Sequence, residues 1–159
     1  MQTQILAIGK LKEAYLQAGI NEYSKRLQPW GRLQIIELAE EKLPQNPGQA
    51  EIEQGKIAEG KRILQALNPG SFHIALDLRG DRLSSEQLAD KLQQLALIGR
   101  SSLSFSIGGS YGLSAEVINA ANMRLSFGAM TFPHQLMRLI LLEQLYRAYK
   151  INRGETYHK

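Results

Sequence analysis

This chain predicts an α/β fold: a mostly parallel sheet of about five strands with helices on both faces. Three observations carry that reading. Short apolar runs alternate with amphipathic stretches from one end of the chain to the other. The apolar runs are strand-sized, while the stretches between them are long enough for helices. Proline, glycine or a helix-capping residue marks most junctions. In such a sheet, ligands sit beyond the C-terminal ends of the strands.

Residues 4–8 read as a buried strand, and 11–27 carry Leu11, Tyr15, Leu16, Ile20, Tyr23 and Leu27 at roughly helical spacing before Pro29 stops the helix. A second apolar run, 33–38, precedes a polar stretch with Pro44, Pro47 and Gly48, which reads as a surface loop. Residues 50–67 form a charged amphipathic helix ended by Asn68-Pro69-Gly70, and "FHIALDL", 72–78, is a third strand. Ser84, with Gln87 three residues on, makes a capping box for a helix running to about residue 98. Residues 103–107 are a strand that ends in a glycine turn, and Ser114 and Glu116 open the next helix. A short strand over 123–127 leads to "GAMTFPHQ", where Pro133 suits the first turn of a last helix, 133–150. That helix spreads Leu136, Met137, Leu139, Ile140, Leu141, Leu142, Leu145, Tyr146, Ala148 and Tyr149 around most of its circumference, whereas a surface helix needs one apolar stripe. The pattern predicts one face packed on the chain's own sheet and another on a partner subunit in a two-fold dimer, because a chain this small has little core depth to bury both.

The 159 residues make one domain, 1–159, with 43% hydrophobic and 21% charged content, the composition of an ordinary soluble protein. The absence of cysteine excludes disulfides, thiolate metal sites and cysteine nucleophiles, and suits a reducing interior. His73, His134 and His158 are too far apart for a metal motif, so no metal is expected. The start MQTQILAIGK lacks signal-peptide character, and the longest apolar stretch is too short for a membrane span, which makes a cytoplasmic setting the default. The net charge is +4, with the excess concentrated from Arg138 through Arg147, Lys150 and Arg153 to Lys159, a pattern compatible with a nucleic-acid contact.

The glycine turn "SFSIGGSYGLS", 104–114, invites a phosphate. Its spacing fits neither G-x-G-x-x-G nor a Walker loop, since Gly108, Gly109 and Gly112 give G-G-x-x-G with no Lys-Ser or Lys-Thr after it. A plain tight turn and a non-phosphate ligand site both remain open. A nucleotide-dependent enzyme on a flavodoxin-like sheet and a non-enzymatic dimer with a basic end share this pattern, and the missing fingerprints count against the first.

The segments "IGGSYGLS", "LSFGAMTFPHQLMRLILLEQLYRAYKI" and "GETYHK", with "ILAIGKLKE" and "EYSKRL" near the start, together resemble the bacterial RlmH methyltransferases of the SPOUT class over essentially the whole chain. The resemblance implies a homodimer with a C-terminal trefoil knot. It also implies S-adenosylmethionine as methyl donor and N3 of a pseudouridine in 23S rRNA, within the assembled ribosome, as target; no DNA or membrane partner is implied. Carried over by position, the cofactor pocket falls on Leu76, Gly108, Phe127, Gly128, Ala129, Met130, Thr131 and Phe132. These apolar walls suit an adenosine moiety, and Gly108 is expected to leave room for the methionine part.

Because N3 carries an imide hydrogen, transfer also needs a proton acceptor or cationic donors beside the ring. The resemblance directs that role to the C-terminal end: His158 as base, Tyr157 positioning the nucleobase, and Arg147, Arg153 and Lys159 contacting RNA. Arg147 follows Glu143 by four residues, so an intrahelical ion pair is an equally good reading. Tyr157 and His158 sit beside a chain end and would carry no functional reading without the resemblance. His134, just inside the last helix, reads as structural rather than catalytic.

Overall fold

In "QTQILAI" every residue beyond the first is buried, which requires a strand covered on both faces. The computed structural model describes residues 1–157, and in it this strand, β1 (Gln2–Ile8), lies inside a five-stranded, fully parallel sheet. The other strands are β2 (Arg32–Leu38), β3 (Phe72–Arg82), β4 (Ser102–Ile107) and β5 (Met123–Ser126), in the order β2-β1-β4-β3-β5. The helices are α1 (Ala14–Leu27), α2 (Gln49–Ala66), α3 (Ser85–Leu97), α4 (Ala115–Ala120) and α5 (His134–Asn152).

The period-two alternation of β1 divides the core. Ile5 and Ala7 join Ile74, Phe105 and Leu125 under α1, α3 and α5, while Leu6 and Ile8 join Ala75 under α2 and α4 through Ile63 and Val117. The serines of β4 stay buried because their hydroxyls find partners. Ser104 Oγ donates to Gln4 Oε1 at 2.9 Å, and Ser106 Oγ lies 2.8 Å from His73 Nε2.

Differences from the sequence expectation have local causes. Helix α1 begins at Ala14 rather than at residue 11, because the Leu11 N–H donates to Glu37 Oε2 at 2.7 Å and holds the lead-in out of the helix. Strand β3 runs on to Arg82, because Asp81 and Arg82 pair with Leu125 and Ser126 of β5 after a register shift. Leu125 is thereby partnered by both Leu76 and Asp81. Ser84 caps α3 as expected, accepting from the Gln87 N–H while the Gln87 side chain reaches back to the Ser84 N–H.

Helix α5 packs against both α1 and α3, and none of its residues is fully exposed. Burial within the chain thus accounts for much of its apolar circumference. Arg138, counted in the sequence among the basic C-terminal residues, is only 1% exposed and presents no charge to a partner. Its Nη1 donates to Glu37 Oε2 at 2.5 Å, and its Nη2 donates to the carbonyls of Gly9 (2.6 Å) and Ile8 (3.3 Å). Burial by itself pushes the Glu37 carboxyl up, but the Arg138 hydrogen bond, the Leu11 N–H and the guanidinium charge outweigh it and hold the group below its usual range.

A carboxyl held low contributes stability at neutral pH that is lost as pH falls through its folded-state value. Replacing Arg138 by Met should therefore cost about 3 kcal/mol at pH 7, toward the low end for a broken buried pair because Glu37 keeps part of its side chain in water. Urea unfolding of both proteins across pH 7 to 3 checks this, and the gap between them should narrow on the acid side as Glu37 becomes neutral.

Candidate functional site

Parallel strands bring their C-terminal ends to one edge of the sheet, and β3, β4 and β5 open there on a cleft of about 860 Å³. Leu76, Asp77, Leu78 and Arg79 line it from β3, residues 107–113 from the end of β4 and the glycine turn, and Leu125, Ser126, Phe127 and Gly128 from the end of β5. Met130, Thr131, Phe132 and Pro133 continue the wall into the first turn of α5, where His134 and Met137 complete it. Of the cofactor residues carried over by resemblance, Leu76, Gly108, Phe127, Gly128, Met130, Thr131 and Phe132 line this cleft. Ala129 is exposed in the same segment and is not among the lining residues.

The glycine turn closes on itself through an isolated bridge between Gly109 and Gly112, with the Gly112 N–H donating to the Gly109 carbonyl at 3.1 Å. A Cβ on Gly108 would stand 2.5 Å from the carbonyl carbon of Gly112. The missing side chain of Gly108 makes room for the turn's own backbone. The second loop is fixed by Ser126, whose Oγ lies 3.2 Å from the Gly128 N–H, while Gly128 itself has φ +119°. A Cβ at Gly128 would meet nothing within 4 Å.

The ionisable side chains on the cleft are few. His134 has its Nε2 buried with no hydrogen-bond partner; burial pushes its pKa down, Glu40 opposes that and Arg138 adds to it, so the ring is neutral at physiological pH. Asp77 has Oδ2 buried and accepting no hydrogen bond. Sequence reasoning missed Asp77, although an acidic residue at the end of "FHIALD" was the available signal.

The C-terminal candidates lie elsewhere. From Pro133 to Arg147 the rise of α5 carries the chain about 20 Å away from the cleft. There Arg147 pairs with Glu143 through Nη2 (2.5 Å) and Nε (3.0 Å), as its spacing allowed, and its guanidinium sits 5.0 Å from the centre of the Tyr157 ring. The Tyr157 hydroxyl lies 3.2 Å from both Tyr23 OH and Glu143 Oε1, and its ring meets Tyr146 edge-on at 4.8 Å. Burial first, then the hydrogen bond with Tyr23 and the Glu143 charge, push the Tyr157 phenol up, so it keeps its proton. Arg153 is exposed, pairs with Glu155 at 2.9 Å and lies over Trp30 at 5.8 Å; Lys150 also pairs with Glu155. His158 and Lys159 lie outside the described residues. Arg147 and Tyr157 are thus brought together with each other, but not with the cleft of the same chain.

The family model described as "Predicted SPOUT methyltransferase" matches residues 1–158. The chain belongs to this family. Its relatives include the Ribosomal RNA large subunit methyltransferase H of Carboxydothermus hydrogenoformans, 57% identical over the full length of both chains, and that of Clostridioides difficile, 55% identical over the full length of both. Among solved structures, the tRNA (m1G37) methyltransferase of Aquifex aeolicus shares the fold at a TM-score of 0.51 and 12% identity, over 92% of this chain and 70% of that one. Among the described residues no helix is long and apolar enough to cross a membrane, and no cluster of three or more histidine or acidic side chains is placed to hold a metal ion.

S-adenosylmethionine, the methyl donor general to SPOUT methyltransferases, suits the cleft on structural grounds. Leu76, Leu125, Phe127 and Phe132 supply apolar walls, the 126–133 segment supplies backbone, and the orphaned Asp77 Oδ2 faces a need that a cationic ligand answers. The turn beneath it should be intolerant at one glycine and forgiving at its neighbour. Gly108→Ala is expected to cost about 2 kcal/mol or more through the backbone collision, whereas Gly109→Ala, whose Cβ would meet only side-chain atoms at 3.2 Å and beyond, should cost under about 1 kcal/mol. Urea midpoints of the two variants at equal m-value give the comparison.

Proposed function

We propose that this protein methylates N3 of a pseudouridine in 23S rRNA, acting as a homodimer on the assembled ribosome with S-adenosylmethionine bound in the cleft. The observation that carries the reading is the separation of two half-sites. One chain has an apolar cleft fit for the cofactor and, about 20 Å away along α5, a basic and aromatic cluster fit for RNA. A two-fold partner resolves the separation by bringing its own C-terminal end to the cleft. The names of the full-length relatives support ribosomal RNA as the substrate.

The cofactor supplies an electrophilic methyl group on a sulfonium. The chain's residues would do the rest: Leu76, Leu125, Phe127 and Phe132 would hold the donor so that its methyl group faces N3 of the target base. The N3 proton leaves to His158, the proposed base. Tyr157, which keeps its own proton, stacks on or orients the ring, while Arg147, Arg153 and Lys159 hold phosphates or a uracil oxygen. The C-terminal knot belongs to the same reading.

Labelled methyl transfer to ribosomes from cells lacking the modification tests the substrate. Label at one pseudouridine in assembled ribosomes, and not in naked RNA, is the expected result; cofactor binding with no label in any particle would refute it. Shared sites predict complementation as well. Thr131→Trp, which fills the cleft, and His158→Ala should each be inactive alone, with His158→Ala keeping its affinity for the cofactor. Reassociated in equal amounts they should regain about a quarter of wild-type turnover, because half the dimers then carry one intact site of two. A mixture as dead as its components rules out sites built from two subunits.

A further inference from the structure

Among the described residues lining the cleft, Asp77 is the one acidic side chain. It stands on β3 directly after Leu76, where the register with β5 shifts, so pairing on either side of 77–80 fixes its backbone. Its side chain is 13% exposed, and its Oδ2 is buried and accepts no hydrogen bond. The nearest cation, Arg124 Nη1, is 3.8 Å away on a side chain that is half in water, beyond hydrogen-bond reach. A buried carboxylate oxygen without a donor is a cost to the free protein. Native structures retain such costs where a ligand removes them.

A ligand that answers this need must bring both an N–H or O–H donor and a positive charge. On the reading that the cleft holds S-adenosylmethionine, only one group of that molecule has both. The sulfonium is cationic but has no donor, the ribose hydroxyls and the adenine amine are donors without charge, and the α-ammonium is a cation with three donors. We propose that Asp77 is the anionic anchor for the α-ammonium of the cofactor's methionine moiety. The apolar walls then take the adenosine end, and the amino-acid end is read by charge.

Calorimetric titration of the full chain separates this role from the others. The probes are S-adenosylmethionine, S-adenosylhomocysteine, which keeps the ammonium but lacks the sulfonium charge, and methylthioadenosine, which lacks the amino-acid part. Asp77→Asn should weaken the first two equally, by about 10- to 100-fold, the loss expected for a charge-assisted hydrogen bond, and leave methylthioadenosine within about twofold. Arg124→Gln should leave all three affinities near wild type. Without ligand, Asp77→Asn should melt no lower than wild type, since it removes a buried carboxylate oxygen that accepts no hydrogen bond; should it fail to fold, Asp77→Ser is measured in its place. Equal weakening of all three probes would assign Asp77 to the ribose or to the shape of the cleft and overturn the proposal. Weakening of S-adenosylmethionine alone would assign it to the sulfonium, and no weakening would leave it without a ligand role; either result overturns it too. Wild-type protein that binds none of the probes would refute the cofactor reading itself, and this assignment with it.

Discussion

Arg138 is the constraint on which the geometry of the cleft depends. Its guanidinium, withdrawn from water, joins α5 to the Ile8 and Gly9 carbonyls at the end of β1 and to Glu37 on β2. Those carbonyls would otherwise lie at a buried strand end with fewer partners, and the charge would otherwise be uncompensated. The pairing fixes the first turns of α5 against the sheet. His134 and Met137, within about one turn of Arg138, are held on the cleft by the same attachment.

The cleft follows from two further backbone arrangements. Beyond β4 the glycine turn folds tightly enough that Gly112 occupies the space a side chain on Gly108 would take, so the floor on that side is backbone. Beyond β5 the chain turns at Gly128 in a conformation that favours glycine and runs on to Pro133, presenting Phe127 and Phe132 to the cleft. Between these loops the wall is largely apolar, with Asp77 as the one acidic side chain among the described residues that line it. Such a surface, with Arg79 exposed at its edge, suits a nucleoside carrying a positive charge.

At the far end of α5 the physical chemistry is different. Tyr23, Trp30, Tyr146, Tyr149 and Tyr157 form a connected set of ring contacts and hydrogen bonds, and Arg26, Arg147, Lys150 and Arg153 lie over their faces. Several of these cations also have acidic partners: Glu22, Glu143 and Glu155. The cluster fixes the direction of the chain as it leaves the helix, and it couples α1 to the C-terminal segment.

Much of the fold was legible in the residues. The strand-sized runs, the Ser84 capping box, the Asn68-Pro69-Gly70 breaker and Pro133 mark elements that stand within a few residues of their predicted places, because period, caps and breakers act over a few residues and need no knowledge of the rest of the chain. The glycine turn and the 127–132 segment could be singled out as ligand-facing for a similar reason, since both follow strands of a parallel sheet. Tertiary structure decided what depends on distant partners. It buried Arg138, which the sequence presents as one more basic residue, because Glu37 and two carbonyls from about a hundred residues or more away surround it. It left Asp77 without a donor, and it set the glycine turn and the C-terminal cluster at opposite ends of one helix. Sequence determines where charge lies along the chain; which charges are compensated, and which face a cleft, depends on groups that only folding brings within a few ångströms.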